Sequence, residues 1–205
     1  MTELSLAWLL SATGFALSMS GTPGPNNVMV ASSGATFGFT RTLPHMLGIS
    51  IGFPIMLVAV ALGAGQLLQA VPALHTALKW LGSAYLLWLA WHIATASPAP
   101  PDANAASRPL TMLQAGLFQW VNPKAWIIAL GAVATYTTAE GVLGQSLLLA
   151  LIFVVVTLPA VAFWTMTGVG AARLLRTERS LRVFNLVMAA LLVLSLLPLL
   201  RDLAP

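Results

Sequence analysis

Cysteine is absent from this chain, and with it disulfides, thiol redox chemistry and zinc–thiolate sites. Charge is almost as scarce. Asp, Glu, Lys and Arg make up 7% of the residues, against about 25% in a soluble domain, so a water-facing surface cannot be assembled from them. No acidic residue falls within a long apolar run, which removes an Asp/Glu proton relay. The three histidines, His45, His75 and His92, stand too far apart in sequence to suggest a metal cluster, and neither metal nor cofactor is expected. Lys and Arg are also missing ahead of the first apolar run. That argues against a cleaved leader, whose first segment is positive.

What is present is hydrophobic: 59% of 205 residues, with a mean hydropathy of +0.90. The composition is that of an integral membrane protein. A spanning helix needs about 20 apolar residues. Six runs qualify, at residues 4–35, 43–68, 73–95, 110–138, 143–168 and 181–200. The expected fold is therefore all-α and polytopic, a single transmembrane transporter domain over residues 1–205. The low-complexity stretch from Ser97 to Pro109 reads as a cytoplasmic linker between a first half (about residues 1–96) and a second (about 110–205). Three spans per half force the second half to enter the membrane from the opposite side, so two inverted three-helix repeats are expected.

The net charge of +4 has a lopsided distribution. Arg41, Arg108, Arg173, Arg176, Arg179 and Arg182 lie in or beside the expected loops on one side of the membrane, Lys79 and Arg201 on the other. The excess puts the first set in the cytoplasm and both termini outside. The basic cluster around residues 173–182 is expected to meet anionic lipid headgroups, not nucleic acid.

The first and fourth runs are long for one straight crossing, and each carries a breaker. Thr22-Pro23-Gly24-Pro25-Asn26-Asn27 interrupts the first, and Trp120-Val121-Asn122-Pro123-Lys124 the fourth. Proline has no N–H and clashes with the carbonyl four residues back, so the helix before it loses hydrogen bonds. Freed backbone groups are tolerated in hydrocarbon only where they face protein, water or a ligand. Paired breaks in corresponding places of two halves are the best sequence pointer to a transporter's substrate site. The half-helix after each proline begins with unpaired N–H groups and a positive dipole end, which suit a carboxylate. Carbonyls freed before each proline suit an ammonium. The expected ligand is thus a small amino acid, held by Pro23, Gly24, Pro25, Asn26, Asn27, Asn122, Pro123 and Lys124. The bland alternative for each proline is a simple kink, common in membrane helices.

Lys124 is the one charged residue well inside an expected span. Such residues usually face a cavity and mark a pathway. At a half-helix N-terminus a cation is electrostatically unfavourable, and a bound carboxylate would relieve it. Snorkelling, or pairing with a buried carbonyl, is the alternative. His45 is the remaining titratable candidate for coupling transport to protons, against the plainer reading of an interfacial histidine. Tyr85, the deepest of an aromatic group with Trp80, Trp88, Trp91 and His92, is a candidate for stacking on substrate. Gly48-Ile49-Ser50-Ile51-Gly52 matches the nucleophile-elbow pattern, but it lies inside a long apolar helix with no acid at depth. It reads better as a small-residue face for close helix packing, like Gly34-x-x-x-Gly38. Such faces leave a homodimer open.

These segments resemble the LysE/RhtB family of bacterial amino-acid exporters. The residues that carry the resemblance are Thr22 to Asn27, Gly38-Phe39-Thr40-Arg41, Gly48 to Phe53, Gly82-Ser83-Ala84-Tyr85 with the following Leu86 to Trp91, and Gln119 to Lys124. The wording Pro-Gly-Pro-Asn-Asn and Trp-Leu-Ala-Trp-x-Ile-Ala looks most like the cysteine/O-acetylserine exporter branch. The resemblance implies proton-driven efflux of small amino acids across the bacterial inner membrane. Many relatives carry an acidic residue after the glycine matching Gly52. Here Phe53 stands there, which argues against cationic substrates. A passive channel or membrane scaffold, in which the breaks only shape a pore or helix contacts, is the rival from another class. An enzyme is disfavoured by the missing catalytic acids and thiols.

Overall fold

A computed structural model describes residues 5–95, 108–174 and 177–196. Most of the expected linker, Arg176 and Arg201 lie outside the described residues. Among those described, every regular element is helical. In chain order they are α1 (Leu6–Gly21), α2 (Pro25–Phe37), α3 (Phe39–Ala59), α4 (Gly65–Ala70), α5 (Pro72–Thr95), α6 (Met112–Phe118), α7 (Pro123–Tyr136), α8 (Val142–Leu174) and α9 (Glu178–Leu194). A π turn over Val60–Ala64 joins α3 to α4, and a 3₁₀ turn over Gln119–Val121 leads from α6 toward α7.

Both breaks are present. The chain leaves the helix at Thr22 and re-enters it at Pro25, with Gly24 fully extended between. Asn122 is likewise extended, and α7 begins at Pro123, the helical position where a missing N–H costs least. A third irregularity was not expected from the sequence. Gly63, with φ 126°, turns the helix out of line between α3 and α4, where a continuous helix over 43–68 is the sequence expectation. Only glycine takes that φ without strain, and an isolated glycine in an apolar run does not announce it. Among the described helices, two are long and apolar enough to cross a membrane alone, Phe39–Leu68 and Val142–Leu174. α1, with 16 residues, rises only about 24 Å, short of a hydrocarbon core of roughly 30 Å.

The packing is an exchange between halves. α3 and α8 lie against each other at the centre. α1 and α2 pack mainly on α8, from the other half, while α6 packs on α3. α5 and α9 pair on the flank. One buried cluster, with Ala12, Ala16, Phe53, Leu57, Ala129 and Phe153, joins α1, α3, α7 and α8. A second, with Val28, Leu86, Phe118 and Leu192, joins α2, α5, α6 and α9. Large apolar side chains such as Leu113, Val155 and Phe163 point away from the protein, as lipid-facing positions do.

Small residues set the two crossings where broken and unbroken helices meet. A Cβ on Gly48 would strike the Met112 carbonyl, and one on Gly52 would lie 2.5 Å from the Gly116 Cα. Across the centre, a Cβ on Gly34 would strike the Thr165 carbonyl and one on Gly168 the Ala31 carbonyl. The expected small-residue faces at Gly34, Gly48 and Gly52 thus meet other helices of the same chain. Gly38 is a correction: nothing lies near it, and its φ of 78° instead ends α2 and turns the chain into α3.

Candidate functional site

Five carbonyls, those of Met19 to Pro23, are released where α1 stops, and each accepts from a side chain; the Thr22 hydroxyl serves Met19 at 3.1 Å. Asn27 Nδ2 donates to the carbonyls of Ser20 and Thr22, both at 2.8 Å. Trp164 Nε1, on α8, donates to the Gly21 carbonyl at 3.2 Å. Lys124 Nζ arrives from the start of α7 and donates to the Thr22 carbonyl (2.8 Å), the Thr22 Oγ1 (2.8 Å) and the Pro23 carbonyl (3.2 Å). Gly21, Thr22 and Pro23 are exposed, and at membrane depth carbonyls without water need such partners, so the side chains keep the broken backbone satisfied. The carbonyl-pairing alternative for Lys124 is therefore what the structure shows.

Gly24 owes its place to that lysine and not to a turn. Its backbone is extended, open to any residue. A Cβ there would lie 2.6 Å from Lys124 Cδ and 3.0 Å from Nζ, so a larger residue would push the lysine arm aside.

The second break is closed mostly by its own residues. Asn122 Oδ1 accepts from the Lys124 N–H at 3.1 Å, as an N-cap does. The Asn122 carbonyl accepts from Ala125 and Trp126. Trp126 Nε1 donates to the Trp120 carbonyl at 2.8 Å. The two breaks are tied together by an amide pair. Asn26 Nδ2 donates to Gln119 Oε1 at 2.9 Å, and Gln119 Nε2 donates back to Asn26 Oδ1 at 3.1 Å. Gln119 is fully buried and gives its other proton to the Ala115 carbonyl. Gln119 is the site residue that the sequence reading passed over. An amide at depth in an apolar helix, three positions before Asn122, was the signal available.

A pocket of about 40 Å³ lies between the breaks, lined by Gly24, Asn26, Asn27, Asn122 and Lys124 together with Ser20 and Thr157 and the apolar Ile49, Phe53, Ile128 and Phe153. That is room for roughly two or three water molecules. The structure thus brings most of the expected residues together. Pro23, Pro25 and Pro123 shape the backbone around them. Phe53 and Phe153 meet edge-on, with centroids 4.9 Å apart, at the pocket wall.

Two candidates lie elsewhere. Tyr85 is not among the pocket's lining residues and packs between Trp88 and Phe118, with centroids 5.6 and 5.4 Å away. It touches the residue next to Gln119 and not the pocket. His45 is 2% exposed, and neither ring nitrogen has a hydrogen-bond partner. It lies one helical turn from Ile49 on α3 and borders a separate cavity of about 330 Å³ with Ser32, Ser33, Thr36, His92 and Arg108.

The chain is similar to proteins named cysteine/O-acetylserine efflux protein. The Escherichia coli (strain K12) protein is 36% identical over 177 residues, covering 84% of this chain and 87% of that one. The Salmonella typhimurium protein is 38% identical over 136 residues, 64% of this chain and 69% of the relative. No solved structure matches the chain significantly. With two helices able to span a membrane, paired helix breaks around a common pocket, and a match to the LysE type translocator family over residues 17–202, the chain belongs to that family and is a membrane transporter, not an enzyme.

Proposed function

We propose that this transporter exports small neutral amino acids or close derivatives, of the cysteine, O-acetylserine or homoserine type, across the bacterial inner membrane by alternating access around the two breaks. The observation that carries this reading is the Lys124 arm, which leaves one broken helix and ends on the carbonyls of the other. A substrate carboxylate meets Lys124 and the positive ends of α2 and α7. Asn26 and Asn122 each keep an amide proton for the substrate, and Asn27, whose amide protons go to the Ser20 and Thr22 carbonyls, offers it an oxygen. The relatives' names support the substrate class. So does Phe53 at the pocket wall, since it gives a second positive charge no partner. The pocket is too narrow for an amino acid as it stands. Substrate therefore enters only when Lys124 leaves its carbonyls and the halves move apart.

Six spans in two inverted repeats agree with the exchanged packing. Swapping the halves turns the α1 contact with α8 into the α6 contact with α3 and maps the α3–α8 and α5–α9 pairs onto themselves, whereas the extensive α2–α8 contact has only a slight counterpart between α7 and α3. The Lys and Arg bias supports a cytoplasmic side for the arginine-bearing ends of α3, α8 and α9, with both termini outside.

The test is transport in proteoliposomes. Lys124→Ala abolishes net efflux while the protein stays folded in detergent; retained efflux removes Lys124 from the mechanism. Labelled uptake accelerated by unlabelled internal amino acid marks a carrier, and its absence marks a passive channel. We place proton coupling at His45, buried and without a partner one turn from the pocket wall. His45→Gln leaves counterflow intact and removes the response of efflux to an imposed pH gradient; an unchanged response excludes it.

A further inference from the structure

Lys124 Nζ sits in a cradle of three oxygens, and none of the three is charged. They are the Thr22 carbonyl, the Thr22 hydroxyl and the Pro23 carbonyl. An ammonium has three donors and no acceptor, so all three are engaged. The cradle is made by the break itself. Its carbonyls are free of the helix because the chain is extended at Thr22 and Gly24, which takes the Asn26 and Asn27 N–H groups out of reach, and the Thr22 carbonyl is shared between Lys124 and Asn27 Nδ2. The Thr22 hydroxyl gives its single proton to the Met19 carbonyl at 3.1 Å, which turns its lone pairs toward the lysine. Gly24 keeps the approach clear.

Resting on the export reading above, the geometry points to this cradle as the binding site for the substrate's own ammonium, which Lys124 fills as a tethered stand-in when the carrier is empty. An incoming α-amino acid places its ammonium on the three oxygens and displaces the lysine. The displaced lysine moves to the carboxylate attached to the same substrate carbon. The site holds one ammonium before and after, and the substrate brings the counter-charge for the one it evicts. A simple primary amine evicts the lysine without providing that counter-charge and leaves two cations side by side, which is unfavourable. An N-acylated amino acid has no ammonium to offer the cradle. The ligand class is accordingly a zwitterion with a free primary amine. The empty carrier, meanwhile, never exposes bare carbonyls to the membrane interior.

Thermal stabilisation of the detergent-purified full chain separates these cases, with O-acetylserine, its isomer N-acetylserine and ethanolamine as probes. The wild type is stabilised by O-acetylserine and by neither of the others. Lys124→Met keeps the aliphatic arm beside Gly24 and removes the ammonium. That variant binds ethanolamine at least about tenfold more tightly than the wild type does. Thr22→Val, which deletes one cradle oxygen and leaves Lys124 in place, weakens O-acetylserine about tenfold without changing the order of the probes. The inference is overturned if Lys124→Met binds ethanolamine no better than the wild type, or if the wild type accepts N-acetylserine as readily as O-acetylserine. It also fails if Thr22→Val leaves O-acetylserine affinity unchanged. Should Lys124→Met gain ethanolamine while no proteoliposome shows amino-acid counterflow, the cradle stands and the export reading falls.

Discussion

The two breaks differ in who satisfies them. At the first, residues 22–24, the freed carbonyls are served from a distance: by Trp164 on α8, by Lys124 on α7, and by Asn27 from the next half-helix. At the second, residues 119–122, a 3₁₀ turn and the Asn122 cap close the gap with neighbours in sequence. One proline and one asparagine suffice there because the chain never fully extends for more than a residue. Pro23-Gly24-Pro25 removes two donors and stretches the chain, so side chains, near and distant, take the place of backbone N–H groups. The first break is thus an open acceptor surface, while the second is a rigid mount from which a donor reaches out. Two interruptions that look alike in the sequence are closed in different ways.

If that division is right, damage to the first break should spread and damage to the second should stay local. The largest effect is expected for Asn27→Ala, which strips the Ser20 carbonyl of its partner. A buried acceptor left bare costs about 1–3 kcal/mol, and its thermal midpoint in detergent should fall furthest. An unchanged midpoint would mean that water replaces the amide and that the first break is wetter than its packing indicates. The bridge between the breaks comes next. Asn26→Leu and Gln119→Leu should each destabilise, and the double variant should lose less than their sum, with a coupling of roughly 0.5–3 kcal/mol. Strict additivity would show that the reciprocal amides contribute nothing to each other. The smallest effect belongs to Asn122→Ala, the loss of one cap, at about 1 kcal/mol. A larger loss there than at Asn27 would invert the comparison.

Much of this architecture could be read in advance, and the reason is local. Proline positions dictate where helices stop, so both interruptions stand where the sequence puts them, and Pro25 and Pro123 open the following helices. Glycine spacing foretold close packing at Gly34, Gly48 and Gly52, because the absence of a side chain is itself local information. Partners were another matter. Nothing near Asn27 says that its amide turns back onto α1, and nothing near Asn26 names Gln119, 93 residues away. Gly24 was read as a substrate-site residue and Gly38 for packing. The first makes room for a lysine from the other half, and the second takes a positive φ. Tyr85 was singled out by depth alone, which cannot tell a pocket wall from a flanking aromatic stack.

Where Gly48 and Gly52 meet α6, and Gly34 and Gly168 join α2 to α8, backbone touches backbone. Contacts of that kind contain no padding that mutation could trim or thicken by degrees. Over evolutionary time such joints can only be kept or lost. Selection for new cargo must therefore act on the handful of groups around the cleft, inside a frame that tolerates no gradual adjustment.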